Sequence, residues 1–156
     1  MSTLRSTATF LDSSILVNLI FETEMTEKTK ELFSKATNPV ISETVIDECV
    51  YVVIRKTARD KGIKSLHDLR KFLKTPEGKE VLKSSIERVL AFVGEHEIEV
   101  VGDPSIFVSL SIAEKYGLLM HDAKILGAMV ENGIKNIATL DRDFEGIPIV
   151  EVLKPD

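Results

Sequence analysis

Along this chain short apolar runs alternate with longer stretches whose apolar residues recur at helical spacing. That alternation narrows the choice of fold more than any other feature. Thr7 to Leu11 interleaves threonine with apolar residues and reads as a strand that ends at Asp12. Ser13 and Ser14 are good N-cap residues, and Ile15, Leu16, Leu19 and Ile20 follow at helical spacing, so a helix is expected at once. Thr26 to Ala36 predicts a second, amphipathic helix stopped by Asn38-Pro39, and Val40 and Ile41 a brief strand. Ser42 is then the expected cap of a long helix to about Lys61, stopped by Gly62, with Val45, Cys49, Val52 and Val53 on its apolar side.

Ser65 to Val93 reads as two more helices separated near Thr75, Pro76 and Gly78, with Val81, Leu82, Ile86, Val89 and Leu90 as a core-facing stripe. Ile98 to Val101 is strand-like, and Asp103-Pro104 is expected to start a helix that Gly117 ends. Asp122 opens the next helix, which Asn132-Gly133 closes, and Asn136 to Leu140 and Ile147 to Val152 supply the last strands. Strands joined by right-handed helical crossovers imply a mostly parallel central sheet covered on both faces, a three-layer α/β/α sandwich. A length of 156 residues suits one domain over 1–156, with the helices at about 65–93 as an elaboration of it.

Composition removes several function classes. Hydrophobic residues at 44% and charged residues at 29% are ordinary for a globular chain, which argues against disorder or a fibrous repeat. The longest apolar run, Cys49 to Ile54, is far short of the roughly 20 residues that cross a bilayer. Asp12 interrupts any secretory leader, so a cytoplasmic protein is expected. Cys49 has no second cysteine to pair with and reads as a small core residue. A net charge of -5 disfavours a uniformly basic grip on nucleic acid, although bound divalent cations would offset much of that excess.

The acids carry the functional signal. Asp12 and Asp141 both follow strands, where open α/β sheets gather ligands, although each is also a plausible turn or cap residue. Asp122 has the same double reading at a helix start. Glu48 sits among apolar helix neighbours, where an unpaired carboxylate would suffer a desolvation penalty of several kcal/mol. Carboxylates converging at strand ends repel one another unless cations intervene, and a set without clustered cysteine or histidine selects Mg²⁺ or Mn²⁺ over zinc or copper. Such ions suit phosphodiester hydrolysis.

These residues resemble a known family. The segments Phe10-Leu11-Asp12-Ser13-Ser14-Ile15-Leu16, Ile41-Ser42 with Glu48 beyond, His121-Asp122-Ala123, and Ala138-Thr139-Leu140-Asp141-Arg142-Asp143-Phe144 together look like the PIN domain, most of all its VapC toxin branch. The resemblance implies that Asp12, Glu48, Asp122 and Asp141 form an acidic metal-binding quartet, with Asp143 an auxiliary acid and Ser14 and Thr139 supporting hydroxyls. It also implies Mg²⁺- or Mn²⁺-dependent endonucleolytic cleavage of RNA leaving a 5′-phosphate, a homodimer, and in many members inhibition by a partner antitoxin. The interval between Glu48 and Asp122 is longer than in compact members, and the extra length falls at 65–93. Basic residues there and on the preceding helix, Arg55, Lys56 and Arg59 among them, could contact phosphates or form a solvated face paired with neighbouring glutamates.

Other readings fit less of the chain. Asp141 to Gly146 matches the start of an EF-hand loop, but its twelfth position is Val152 instead of glutamate. A haloacid-dehalogenase-like phosphatase needs a second aspartate where Ser14 stands, and no Walker A or GxGxxG sequence occurs. His67, His96 and His121 lie apart, without a nucleophile motif, and read as surface or packing residues. An RNA-processing PIN nuclease without antitoxin, and a non-catalytic PIN-like module that binds RNA or protein, remain open. Val50 to Ile54 is an expected apolar surface for a second subunit.

Overall fold

The computed structural model describes residues 7–155, in which strands and helices alternate from end to end. Strand β1 (Thr9–Leu11) leads into α1 (Ser13–Ile20), and α2 (Thr26–Lys35) into β2 (Pro39–Ser42). Three helices follow: α3 (Glu43–Asp60), α4 (Leu66–Phe72) and α5 (Pro76–Glu95). Then come β3 (Glu99–Val101), α6 (Ile106–Tyr116), α7 (Met120–Glu131), β4 (Asn136–Ala138) and β5 (Glu151–Val152). The strands lie parallel in the order β3-β2-β1-β4-β5, giving the expected three-layer sandwich.

Central strand β1 sets Phe10 beside Val40 of β2 and Ile137 of β4. These strands are buried on both faces, so their apolar residues run on without the alternation of a half-exposed sheet. Winding proceeds outward from β1 through β2 to β3, then returns across the sheet to β4. The switch of direction therefore falls between β1 and β4, and the crevice at their carboxyl ends is where such sheets place ligands.

Several boundaries differ from expectation for identifiable reasons. Asp103 does not start a helix. Its carboxylate accepts from the backbone N–H of Thr44 at 3.0 Å and from its hydroxyl at 2.9 Å, which ties β3's exit to α3's first turn. Helix α6 starts later, capped by Ser105, whose Oγ accepts from Val108 N–H. The last strand is shorter than Ile147–Val152 because turn bonds, Glu145 N–H to Arg142 O and Val150 N–H to Ile147 O, shape the segment before it.

Helices α4 and α5 match the two expected at 65–93. Ile54, Ala58 and Leu69 form a small separate cluster there, with Phe72 and Leu82 against it. Of the expected α5 stripe, Val81 and Val89 point inward while Ile86 and Leu90 are exposed. Val52, expected on the apolar side of α3, is also outward. Val53 and Ile54 pack into the chain's own core, so Val50–Ile54 is not a single outward face. The larger exposed apolar surface is on α6, at Ile106, Phe107 and Leu110. Cys49 is a buried core residue. No helix among the described residues is long and apolar enough to cross a membrane.

Candidate active site

Asp12 is the first residue past β1, and both of its sequence readings hold at once. One carboxylate oxygen accepts from Ser13 N–H at 2.8 Å, making Asp12 itself the N-cap of α1 in place of the serines. The other accepts from the hydroxyls of Ser14 at 3.0 Å and Thr139 at 2.7 Å. Ser14 Oγ in turn accepts from Leu140 N–H, and Thr139 Oγ1 from Asp141 N–H. Two hydroxyls thus tie the start of α1 to the exit of β4, and Asp12, almost fully buried, is oriented by both.

Asp122 is not the cap of its helix; Leu119 occupies that position, and Asp122 falls in the first turn of α7. There its half-buried side chain meets the acids that follow β4. Its pKa is pushed up to about 7, by burial first, then by the charges of Asp143, Asp12 and Asp141 and a side-chain hydrogen bond with Asp143. Asp141 is also raised, by desolvation and then by Asp143 and Asp12, against a lowering bond from the Arg142 backbone. Phe144, fully buried, pins the turn that carries Asp141 and Asp143. Four carboxylates from three separate elements therefore share one electrostatic environment at the sheet's switch point.

Glu48 stands at the edge of this group. Its carboxylate accepts from Ser13 Oγ at 2.8 Å and pairs with His121 Nδ1 at 3.3 Å, with its side chain 24% exposed. Burial raises the pKa of neighbouring Cys49, and Glu48 and Asp12 add to that rise. The acids that perturb Asp122 are Asp143, Asp12 and Asp141, so Asp143 stands closer to the centre than its auxiliary status in the sequence suggested. Ser13 and His121 take part in positions the sequence reading left to capping and packing. The available signal was adjacency, since each flanks an acid directly in the chain.

As the side chains stand, no three of the His, Cys, Asp and Glu among the described residues are gathered at ligating separation. The donor chemistry nevertheless fits a hard cation. The charges of Asp143, Asp12 and Asp141 all act on Asp122, and the part of its raised pKa that they add to burial is repulsion that a divalent ion would relieve.

The PIN domain family model matches residues 9–150, a span that takes in every one of these acids. The chain belongs to the PIN domain family. It is 28% identical over 151 residues to Ribonuclease VapC6 of Methanocaldococcus jannaschii, covering 93% of this chain and 95% of that protein. Among solved structures, the PIN fold is shared with Mycobacterium tuberculosis VapC20, a sarcin-ricin loop cleaving toxin, at a TM-score of 0.59 and 17% identity over 93% of this chain and 98% of that one. It is shared equally with VapBC2 from Rickettsia felis bound to a DNA fragment from its promoter, at 0.58 and 17% over 96% and 99%. The resemblance to the PIN domain read from the motifs is thereby borne out.

Proposed function

We propose that this PIN protein is a divalent-metal-dependent endoribonuclease, acting in the cytoplasm as the toxin of a VapBC-type pair. The observation that carries the proposal is the nearness of Asp12, Asp141 and Asp143 to Asp122 at the switch point of the sheet, where burial and then the charges of those acids raise its pKa to about 7. A scaffold that only binds has no use for so much mutual repulsion.

In this reading Asp12, Asp122 and Asp141 hold Mg²⁺ or Mn²⁺ with Glu48 at the rim, and Asp143 is an auxiliary acid. When bound, the ion neutralises charge on the RNA phosphodiester and lowers the pKa of water. The chain's own contribution is orientation. Ser14 and Thr139 fix the Asp12 carboxylate by donating to it, while Ser13 and His121 hold Glu48 toward the crevice. Glu48, partly exposed, is placed to accept a hydrogen bond from an attacking water.

The similar structures support one protein partner. Several similar structures are toxin-antitoxin complexes, which favours a protein antitoxin here. A homodimer is the further proposal, with the outward apolar residues of α6 as its surface in place of Val50–Ile54.

The test incubates purified protein with labelled RNA in Mn²⁺ or in EDTA, beside Asp12→Asn and Asp122→Asn. Cleavage is expected only with metal, and both variants should lose at least about a hundredfold in rate, the scale of removing one group that stabilises transition-state charge. Cleavage indifferent to EDTA and to both substitutions would sink the proposal, and binding without cleavage would favour a non-catalytic module.

A further inference from the structure

Two hollows lie along the exposed side of α3 and share two residues. The first, of about 380 Å³, is lined by Asp47, Glu48, Tyr51, Val52 and His121, and so opens on the edge of the acidic site. The second, of about 660 Å³, is lined by Tyr51, Val52, Arg55, Lys56, Arg59 and Asp60. Tyr51 and Val52 belong to both, so the hollows form one groove. Glu48, Tyr51, Val52, Arg55 and Arg59 recur at helical spacing and make its floor.

That floor is graded. Acid lies at the end nearest Asp12, an apolar step follows in which Tyr51 is 47% exposed, and Arg55, Lys56 and Arg59 outnumber Asp60 at the far end. Lys56 is held there with its Nζ 4.2 Å from the centre of the Phe21 ring. Neither Arg55 nor Arg59 is drawn into an ion pair among the described residues, unlike Lys61, which meets Glu77 at 2.9 Å. In a chain of net charge -5, an unpaired basic pair beside an exposed aromatic ring is a local departure that calls for an anionic, planar occupant.

We propose that this groove is a track for single-stranded RNA, in which Tyr51 stacks on a base near the cleaved bond and Arg55 and Arg59 hold phosphates farther along. This rests on the nuclease reading of the acidic site. Aromatic stacking combined with a cationic path is how proteins bind single strands without pairing to their bases. Charge complementarity favours RNA over an acidic peptide. An RNA strand offers phosphates to Arg55 and Arg59 and a planar base to Tyr51 at once, which an acidic peptide does not.

The test uses the full chain and a fluorescent, unstructured oligoribonucleotide, with binding read by anisotropy in EDTA from about 50 to about 200 mM salt. The track contains none of the proposed metal ligands except Glu48 at its edge, so wild-type binding should survive EDTA. Tyr51→Ala is expected to weaken it about tenfold or more, the scale of one base-aromatic stack, and Tyr51→Phe to restore it. Arg55→Ala with Arg59→Ala should reduce the salt slope by about 1.4, corresponding to two lost single-strand phosphate contacts. All three positions face solvent or a surface groove, and melting points within a degree or two of wild type would separate binding from folding. Unchanged affinity and slope, or no wild-type binding in EDTA, would overturn the track. So would normal RNA binding by variants that no longer capture a protein antitoxin. A wild type that cuts in Mn²⁺ while these variants bind normally sinks the track alone. Track-dependent binding without any cutting sinks the nuclease reading alone.

Discussion

Asp12 serves two purposes with two oxygens, one capping α1 and one facing the other acids. Asparagine caps helices as well as aspartate does but sets an amide NH2 where Oδ2 accepted from Ser14 and Thr139, so Asp12→Asn should lose activity while keeping the cap's share of the stability. Asp12→Ala should lose both, at about 1 kcal/mol for the cap and more for the hydroxyls of Ser14 and Thr139 left without an acceptor. Thermal melts of the two variants check the split. A second expectation concerns pH. Asp122 has a folded pKa near 7 against an ordinary 3.8, so its proton is lost more readily from the unfolded chain. Asp122's contribution to the stability of the metal-free protein should therefore be full below about pH 4, decline between 3.8 and about 7, and level off above that. Asp122→Asn should flatten the decline, and a flat wild-type profile would count against close clustering. Asp12, Asp122 and Asp141 were legible in the chain because each follows a strand or lies in a helix's first turn, and Glu48 because it sits among apolar helix neighbours. What was not legible is which acids meet. Asp143 is drawn onto Asp122 by the turn that buried Phe144 anchors, and Glu48 is tied to Ser13 across the crevice.

At the scale of elements, α7 matters most, since it carries Asp122. Gly127 lets it approach the β3–α6 connection. A Cβ there would stand 2.7 Å from Pro104 Cγ and 3.1 Å from Pro104 Cβ. Gly127→Ala gains up to about 1 kcal/mol in helix propensity but meets a ring that cannot yield, and overpacking of this kind costs about 1–3 kcal/mol. The expected net result is a lower melting point, with weaker Mn²⁺ binding as α7 is displaced. Calorimetry on the purified variant decides it, and an unchanged melting point would show that the loop moves aside freely. Helices α3, α4 and α5 were legible from caps and periodicity, as Thr75 and Gly78 illustrate through their cap bond at 3.0 Å. The start of α6 was not, because Asp103 is drawn off by Thr44, far away in sequence. Val52, Ile86 and Leu90 likewise fit a stripe in one dimension that turns outward in three.

For the molecule as a whole, the parallel sheet was readable from the alternation of short and long segments, while the strand order was not, since nothing local says that β4 returns past β1. An apolar surface on α6 is left outside it, with Phe107 79% exposed. If that surface joins two copies, Phe107→Glu should give a monomer by light scattering with an unchanged melting point. A wild-type monomer across the micromolar range would remove the dimer. Strand order also has a consequence for how the protein comes into being. Its neighbouring acids come from opposite ends of the sequence, Asp12 near the beginning and Asp141 and Asp143 near the end. Chains are made from the N-terminus, so Asp141 and Asp143 are joined long after Asp12. A half-made copy on the ribosome, surrounded by messenger and ribosomal RNA, carries Asp12 on an unfinished sheet and lacks its counterparts beyond β4. On the nuclease reading proposed above, the acidic site stays incomplete, and the RNA around the ribosome uncut, until the residues beyond β4 have been made.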